Sequence, residues 1–201
     1  MSERTLSIRF LRQFGETITS ELGHETLSIV LEKAGLPPGW ADLSRSGNLS
    51  DTTAVEVFAG LQKAVRMYYG RGARGILMRV GSKLWYRLLD DAPLPLKAQS
   101  KLLHGLPATA RRKPALELLA GLLNNHCGDV SVHTLDLDLL LLDRASPGAV
   151  GQSETERICF VTLGLARECL FWATNQEHDI AETSCRAKGE EICEFKITIG
   201  G

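Results

Sequence analysis

The 201-residue sequence has no long apolar run, almost no net charge, no internal repeat and no low-complexity tract. Its longest leucine run, Leu139 to Leu142, falls far short of the roughly 20 apolar residues a membrane span needs. Arg4, Arg9 and Arg12 interrupt the only apolar stretch near the N-terminus, so no secretory leader is expected there. A soluble cytoplasmic protein with no membrane span is the expectation. Five cysteines, an odd number without a leader, do not make a secreted disulfide framework. No serine or cysteine nucleophile stands with a recognisable partner, and His104, His126 and His133 lack metal spacing. Gly70-Arg-Gly72-Ala-Arg-Gly75 matches the dinucleotide fingerprint by letter, yet it follows a helical pattern and not a strand, and the nearest acids downstream, Asp90 and Asp91, poorly meet the need for an acid about 20 positions on. Its glycines read instead as points where two helices or a ligand approach closely.

What is present is an ordinary globular composition, 44% hydrophobic and 23% charged, enough for one domain with a real core. The charge is unevenly placed: residues 57–116 carry twelve Lys and Arg against only Asp90 and Asp91. Such a basic middle is a solvated surface, a partner for the acidic part of the same fold, or a face for an anionic ligand, an acidic protein, a membrane surface or nucleic acid.

Apolar residues at helical spacing predict helices through Leu6, Phe10, Phe14 and Ile18, then Leu27, Val30 and Leu31, the pair ending at Gly35 and Pro37-Pro38. A polar loop leads to Ser50 and Asp51, which cap a helix through Val57, Leu61, Ala64 and Tyr68. The next helix carries Leu77, Val80, Leu84 and Leu88 on one face and Arg79, Lys83 and Arg87 on another. Pro93 and Pro95 break the pattern, and a shorter helix follows around Pro114 to Asn124. Alternation from Val130 to Leu139 predicts a strand. Ser153 with Glu156 is a capping-box pattern for a helix running to about Trp172, and strands Ile180–Ala187 and Ile192–Ile199 close the chain around Gly189. The fold class expected is α+β, an antiparallel sheet with packed helices, in a single domain over 1–201 made of an N-terminal helical segment (1–50) and a core (51–201).

Cys185 and Cys193 stand eight apart across the last hairpin, which places them opposite each other on one face. Cys159, near a helix start, supplies a third thiol eased toward ionisation. Cys169 lies about 15 Å further along that helix, too far to share an ion with Cys159. Glu182 is the better fourth ligand, although it and Cys185 are three apart and meet on one side only if a bulge intervenes. Three readings stay open: a metal site, buried unliganded thiols, and a Cys185–Cys193 disulfide. Cys127 and Cys169 are read as structural.

The segment Glu182-Thr-Ser-Cys185-Arg-Ala-Lys-Gly189-Glu-Glu-Ile-Cys193-Glu-Phe195, with Cys159 and Gly164 upstream, resembles the C-terminal signature of the V4R (4-vinyl reductase) domain, and Tyr69 through Gly81 is similar to the same family. The resemblance implies a structural zinc on Cys159, Glu182, Cys185 and Cys193, a zinc-stapled hairpin, a homodimer and a small hydrophobic ligand. It also implies a carrier or accessory role in bacteriochlorophyll synthesis with a vinyl-bearing tetrapyrrole as ligand, the alternatives being a 4-vinyl reductase or a ligand-sensing module acting through a partner. No redox cofactor site supports the enzyme, and no nucleic-acid-binding module is present. The ligand-binding residues expected are Phe58, Trp85, Tyr86 and Trp172 for an apolar cavity, with Arg71 and Arg74 for the carboxylates of the ligand.

Overall fold

Each apolar stripe read at helical spacing becomes a helix that buries that stripe. In the computed structural model, which describes residues 6–43 and 50–199, helix α1 spans Ile8–Leu22 and α2 spans His24–Lys33. Arg4 and the polar loop at 44–49 lie outside the described residues. Ser7 caps α1 by accepting from the Phe10 amide, and Gly23, at φ +82°, turns the chain sharply between the two helices. Helix α3 (Asp51–Tyr69) opens with Ser50 accepting from the Thr53 amide, the cap the sequence predicts. Helix α4 (Ala73–Asp90) buries Leu77, Val80, Leu84, Trp85 and Leu88.

Two elements depart from expectation. Helix α5 (Leu94–Leu103) fills a stretch with no helix expected, because Pro93 and Pro95 sit at its cap and first turn, where the missing N–H costs nothing. The alternating run read as one strand is a hairpin: β1 (Val130–Leu135) turns at Asp136, held at φ +53°, into β2 (Asp138–Asp143). Helix α6 (Arg112–Asn124) precedes this hairpin.

The last helix, α7, spans Phe160–Thr174 and not a range opened by Ser153. The Ser153 and Glu156 pattern makes no capping box; the Glu154 amide instead bonds the Ala187 carbonyl, which ties this segment to the end of the last hairpin. α7 is buried on nearly every side and packs against α4, α6 and β3 (Asp179–Ser184). The sheet closes with β4 (Cys193–Thr198) in the order β1-β2-β4-β3, every pair antiparallel.

At the crossing of α4 and α7 the backbones touch. A Cβ on Gly81 would lie 2.2 Å from the Val161 carbonyl oxygen, and one on Gly164 would lie 2.1 Å from that of Met78. Only glycine fits at either position. The earlier run Gly70, Gly72 and Gly75 meets no helix in this way; Gly70, at φ +53°, ends α3. A single apolar cluster runs from Leu6 and Phe14 through Leu61 and Leu84 to Phe195, so the N-terminal helices belong to the same core as the sheet.

Candidate functional site

The three thiols and the carboxylate converge. The Sγ atoms of Cys159, Cys185 and Cys193 and a carboxylate oxygen of Glu182 all lie within 4.8 Å of one another, and all four residues are buried. Cys159 Sγ is 3.3 Å from Cys193 Sγ and 3.9 Å from Cys185 Sγ. The convergence has a local cause. β3 pairs with β4 through Glu182↔Phe195 and then Ser184↔Glu194, so one residue is bulged between them, which is what brings Glu182 and Cys185 to one side. Gly189, at φ +90°, permits the left-handed turn that returns the chain to Cys193. Cys159 is the residue just before α7, and its amide donates to Glu182 Oε2 at 3.1 Å.

The electrostatics of the group are those of a site with charge to share. Burial pushes the Glu182 carboxyl up to about 8, helped by its hydrogen bond with Cys185. Cys185 is drawn below the usual thiol range by hydrogen bonds from Cys159 and Cys193, whereas Cys159 is pushed up, first by its bond to Cys185. Thiol donors thus stabilise one thiolate among them. Glu182 Oε1 is buried with no hydrogen-bond partner. All five cysteines are free, so the disulfide between Cys185 and Cys193 is not formed. Cys169 is fully buried with Sγ 3.1 Å from the Ala115 carbonyl, and Cys127 lies against the Leu123 carbonyl, both away from the group.

Glu182 also lines a cleft of about 980 Å³. The walls come from the end of α3 and the start of α4 (Lys63, Arg66, Met67, Arg71, Arg74), the segment before α7 (Glu154 to Ile158), α7 itself (Phe160, Leu163) and β3 (Asp179 to Glu182). A smaller cavity of about 420 Å³ adjoins it, sharing Arg74, Leu163, Asp179 and Ile180.

Of the ligand-binding residues expected from sequence, Arg71 and Arg74 line this cleft and the four aromatic residues do not. Phe58 is buried against Phe10 and Phe14, and Trp85, fully buried, meets the edge of Trp172 at 5.4 Å between ring centroids. Tyr86 is 45% exposed and donates to Glu168 at 2.6 Å. Phe58, Trp85 and Trp172 therefore build the core. The residues the sequence did not single out are Lys63, Arg66, Met67, Arg157 and Ile158, which come together only through the fold. Part of the basic middle is absorbed by the protein itself: Arg79 and Lys83 pair with Glu21 and Arg87 with Glu16, both on α1, and Arg66 pairs with Glu154 in the C-terminal third.

No helix among the described residues is long and apolar enough to cross a membrane. No family model matches the chain, and no curated protein matches it. Solved structures do. An H-NOX protein from S. oneidensis in the Fe(II)NO ligation state is 13% identical, with a TM-score of 0.56 over 98% of this chain and 100% of that one. A mutant H-NOX protein from K. algicida, Fe(II) unliganded, is 13% identical with a TM-score of 0.58 over 96% and 95%. A mutant H-NOX from T. tengcongensis is 13% identical with a TM-score of 0.55 over 94% of both chains. The V4R resemblance is corrected by these findings, and 4-vinyl reduction, bacteriochlorophyll synthesis and zinc as structural cofactor fall with it, since similar structures are described by heme and Fe(II) and not by zinc. The residues that carried the resemblance have local tasks: Gly81 and Gly164 the helix contact, Gly189 the turn, Phe195 the core. In fold, this chain is similar to H-NOX domains from end to end.

Proposed function

We propose that this chain is a small-ligand-binding domain whose ligand enters the cleft between the α3–α4 junction and β3, and that Cys159, Glu182, Cys185 and Cys193 hold a thiophilic metal cation beneath it. One observation carries the reading: Glu182 belongs to both places, lining the cleft while closing the thiol group, with one oxygen left unpartnered. Three sulfurs and a carboxylate are a donor set for a soft cation, and binding would displace the thiol protons. Of the roles the sequence left open, carrier, reductase and sensor, ligand binding is common to all.

Heme, named in the description of one H-NOX structure, is the first ligand to test against these residues. They do not fit it. Heme iron takes a protein ligand such as an imidazole or thiolate, and none of the five histidines lines the cleft; His178 lines only the adjoining cavity of about 420 Å³, with its Nδ1 3.0 Å from the Gln176 carbonyl. His104 is exposed at the end of α5 with its ring edge-on to Trp172, His126 is bonded to Ser7, and the cleft-side thiols are buried behind Glu182. The α4–α7 crossing leaves no slot for a macrocycle between those helices.

Two measurements check the reading. Co(II) added to reduced protein is expected to give one equivalent of sulfur-to-metal charge-transfer absorption, lost in Cys193→Ser and retained in Cys169→Ser. 1-Anilinonaphthalene-8-sulfonate is expected to fluoresce on binding wild type and to lose that signal in Ala181→Trp, which fills the cleft from an exposed strand position. Equal probe binding by that variant would place the ligand elsewhere.

A further inference from the structure

The basic residues around α3 and α4 divide into two sets. Arg79 and Lys83 bond Glu21 at 2.6 and 2.7 Å, and Arg87 bonds Glu16 at 2.5 Å, so α1 neutralises that stripe. Arg111 is used differently again, donating to the carbonyls of His104, Leu106 and Ala173. Lys63, Arg71 and Arg74 are exposed and form no ion pair among the described residues, and all three line the cleft. The cations of α3, α4 and their junction that lack an ion pair are thus gathered at one mouth.

Arg66 completes the set. Its side chain is only 11% exposed, and Nη2 donates to Gln152 and Glu154 at 3.0 and 3.1 Å, which fixes the guanidinium in the cleft wall. Its Nη1 is buried and meets no acceptor. A buried donor left unmet costs free energy that an acceptor arriving from the cleft recovers. Beside these cations the wall is apolar: Met67, Ile158, Phe160, Leu163 and Ile180. Arg74 lies over the Phe160 ring at 6.0 Å, where the cationic part of the wall meets the apolar part.

We infer that the cleft selects a ligand with a hydrocarbon body and a single carboxylate head, the head held at Arg66 with Lys63 and Arg71 and the body lying on the apolar wall. This rests on the cleft being the binding site. Glu154, Glu156, Asp179 and Glu182 also line the cleft, and the field of the ionised carboxylates opposes a doubly charged phosphate more than a single carboxylate. A neutral hydrocarbon would leave the Arg66 donor unmet.

Calorimetric titration of wild-type protein with decanoate, 1-decanol and decyl phosphate tests this. Decanoate is expected to bind about tenfold tighter than 1-decanol, the scale of one charge-assisted hydrogen bond, and tighter than decyl phosphate at a pH where the phosphate is dianionic. The preference for decanoate over 1-decanol should vanish in Arg66→Gln. It should shrink in the Lys63→Gln/Arg71→Gln double variant, whose exposed positions leave folding intact even where Arg66→Gln does not. Equal affinity for decanoate and 1-decanol, or tighter binding of decyl phosphate, would overturn the inference while leaving the cleft as the binding site. If neither decanoate nor 1-decanol binds or displaces anilinonaphthalene sulfonate, the cleft reading itself fails.

Discussion

At the scale of single residues, what a side chain does here is set by who neutralises it. Tyr86 shows this on the surface: its hydroxyl donates to Glu168, and that bond, with some burial, pushes its ionisation up to about 12 from the usual 10. Because the folded value lies above the unfolded one, the stabilisation is fully present below about pH 10 and is lost as pH rises through about 12. A tyrosinate absorbance titration is expected to show a late step belonging to Tyr86, which Glu168→Gln should bring back toward 10. Neither this pair nor the Glu21 pairings were legible in the sequence, since their partners lie 82, 58 and 62 residues apart. Cys169 was legible, because its place on an apolar helical stripe already marked it as core, and it is fully buried.

Between elements, the contact that positions the site is the crossing of α4 and α7. It brings the start of α7, with Cys159 and Phe160, against the helices that supply Arg71 and Arg74. Added methyl groups there meet backbone, which cannot swing aside. Gly81→Ala and Gly164→Ala are each expected to cost about 3 kcal/mol or more, read as a drop in the urea midpoint with an unchanged slope. Alanine at Gly75, where the nearest atom is the mobile end of Arg79 at 3.6 Å, should be neutral or slightly stabilising. The sequence singled out Gly70, Gly72 and Gly75 as points where two helices or a ligand approach closely; the helices touch at Gly81 and Gly164 instead, while Gly70 lines the cleft. A glycine's letter does not say whether it serves a turn or a neighbour; here Gly70 serves a turn and Gly81 a neighbour. The start of α7 was misplaced for a related reason, as the Glu154 amide found a tertiary partner in Ala187 and the capping pattern lost its use.

Over the whole molecule, one apolar cluster joins the N-terminal helices to the sheet, so unfolding should be a single transition. Phe14, fully buried with its ring 4.6 Å from that of Phe58, ties α1 to α3. Phe14→Ala is expected to destabilise by about 3–5 kcal/mol, with helix content by circular dichroism and tryptophan fluorescence falling together; two separated transitions would mean that α1 folds apart from the rest. The sequence by itself determined the α+β class, most helices and the last hairpin, because these rest on local periodicity, turn chemistry and spacing, which act over a few residues. It offered a metal site at Cys159, Glu182, Cys185 and Cys193 as one of three open readings, and their meeting across 34 residues of chain was decided by the packing of α7 on β3. It did not determine the cleft. Lys63, Arg66 and Arg71 join Glu182 and Ile158 around one cleft only after α3, α4, α7 and β3 have packed, and Phe58, Trp85 and Trp172 were drawn into the core by the apolar area they bury. Which cations stay unpaired was likewise decided by the position of α1, since an ion pair forms only between groups that packing has already brought within a few ångströms.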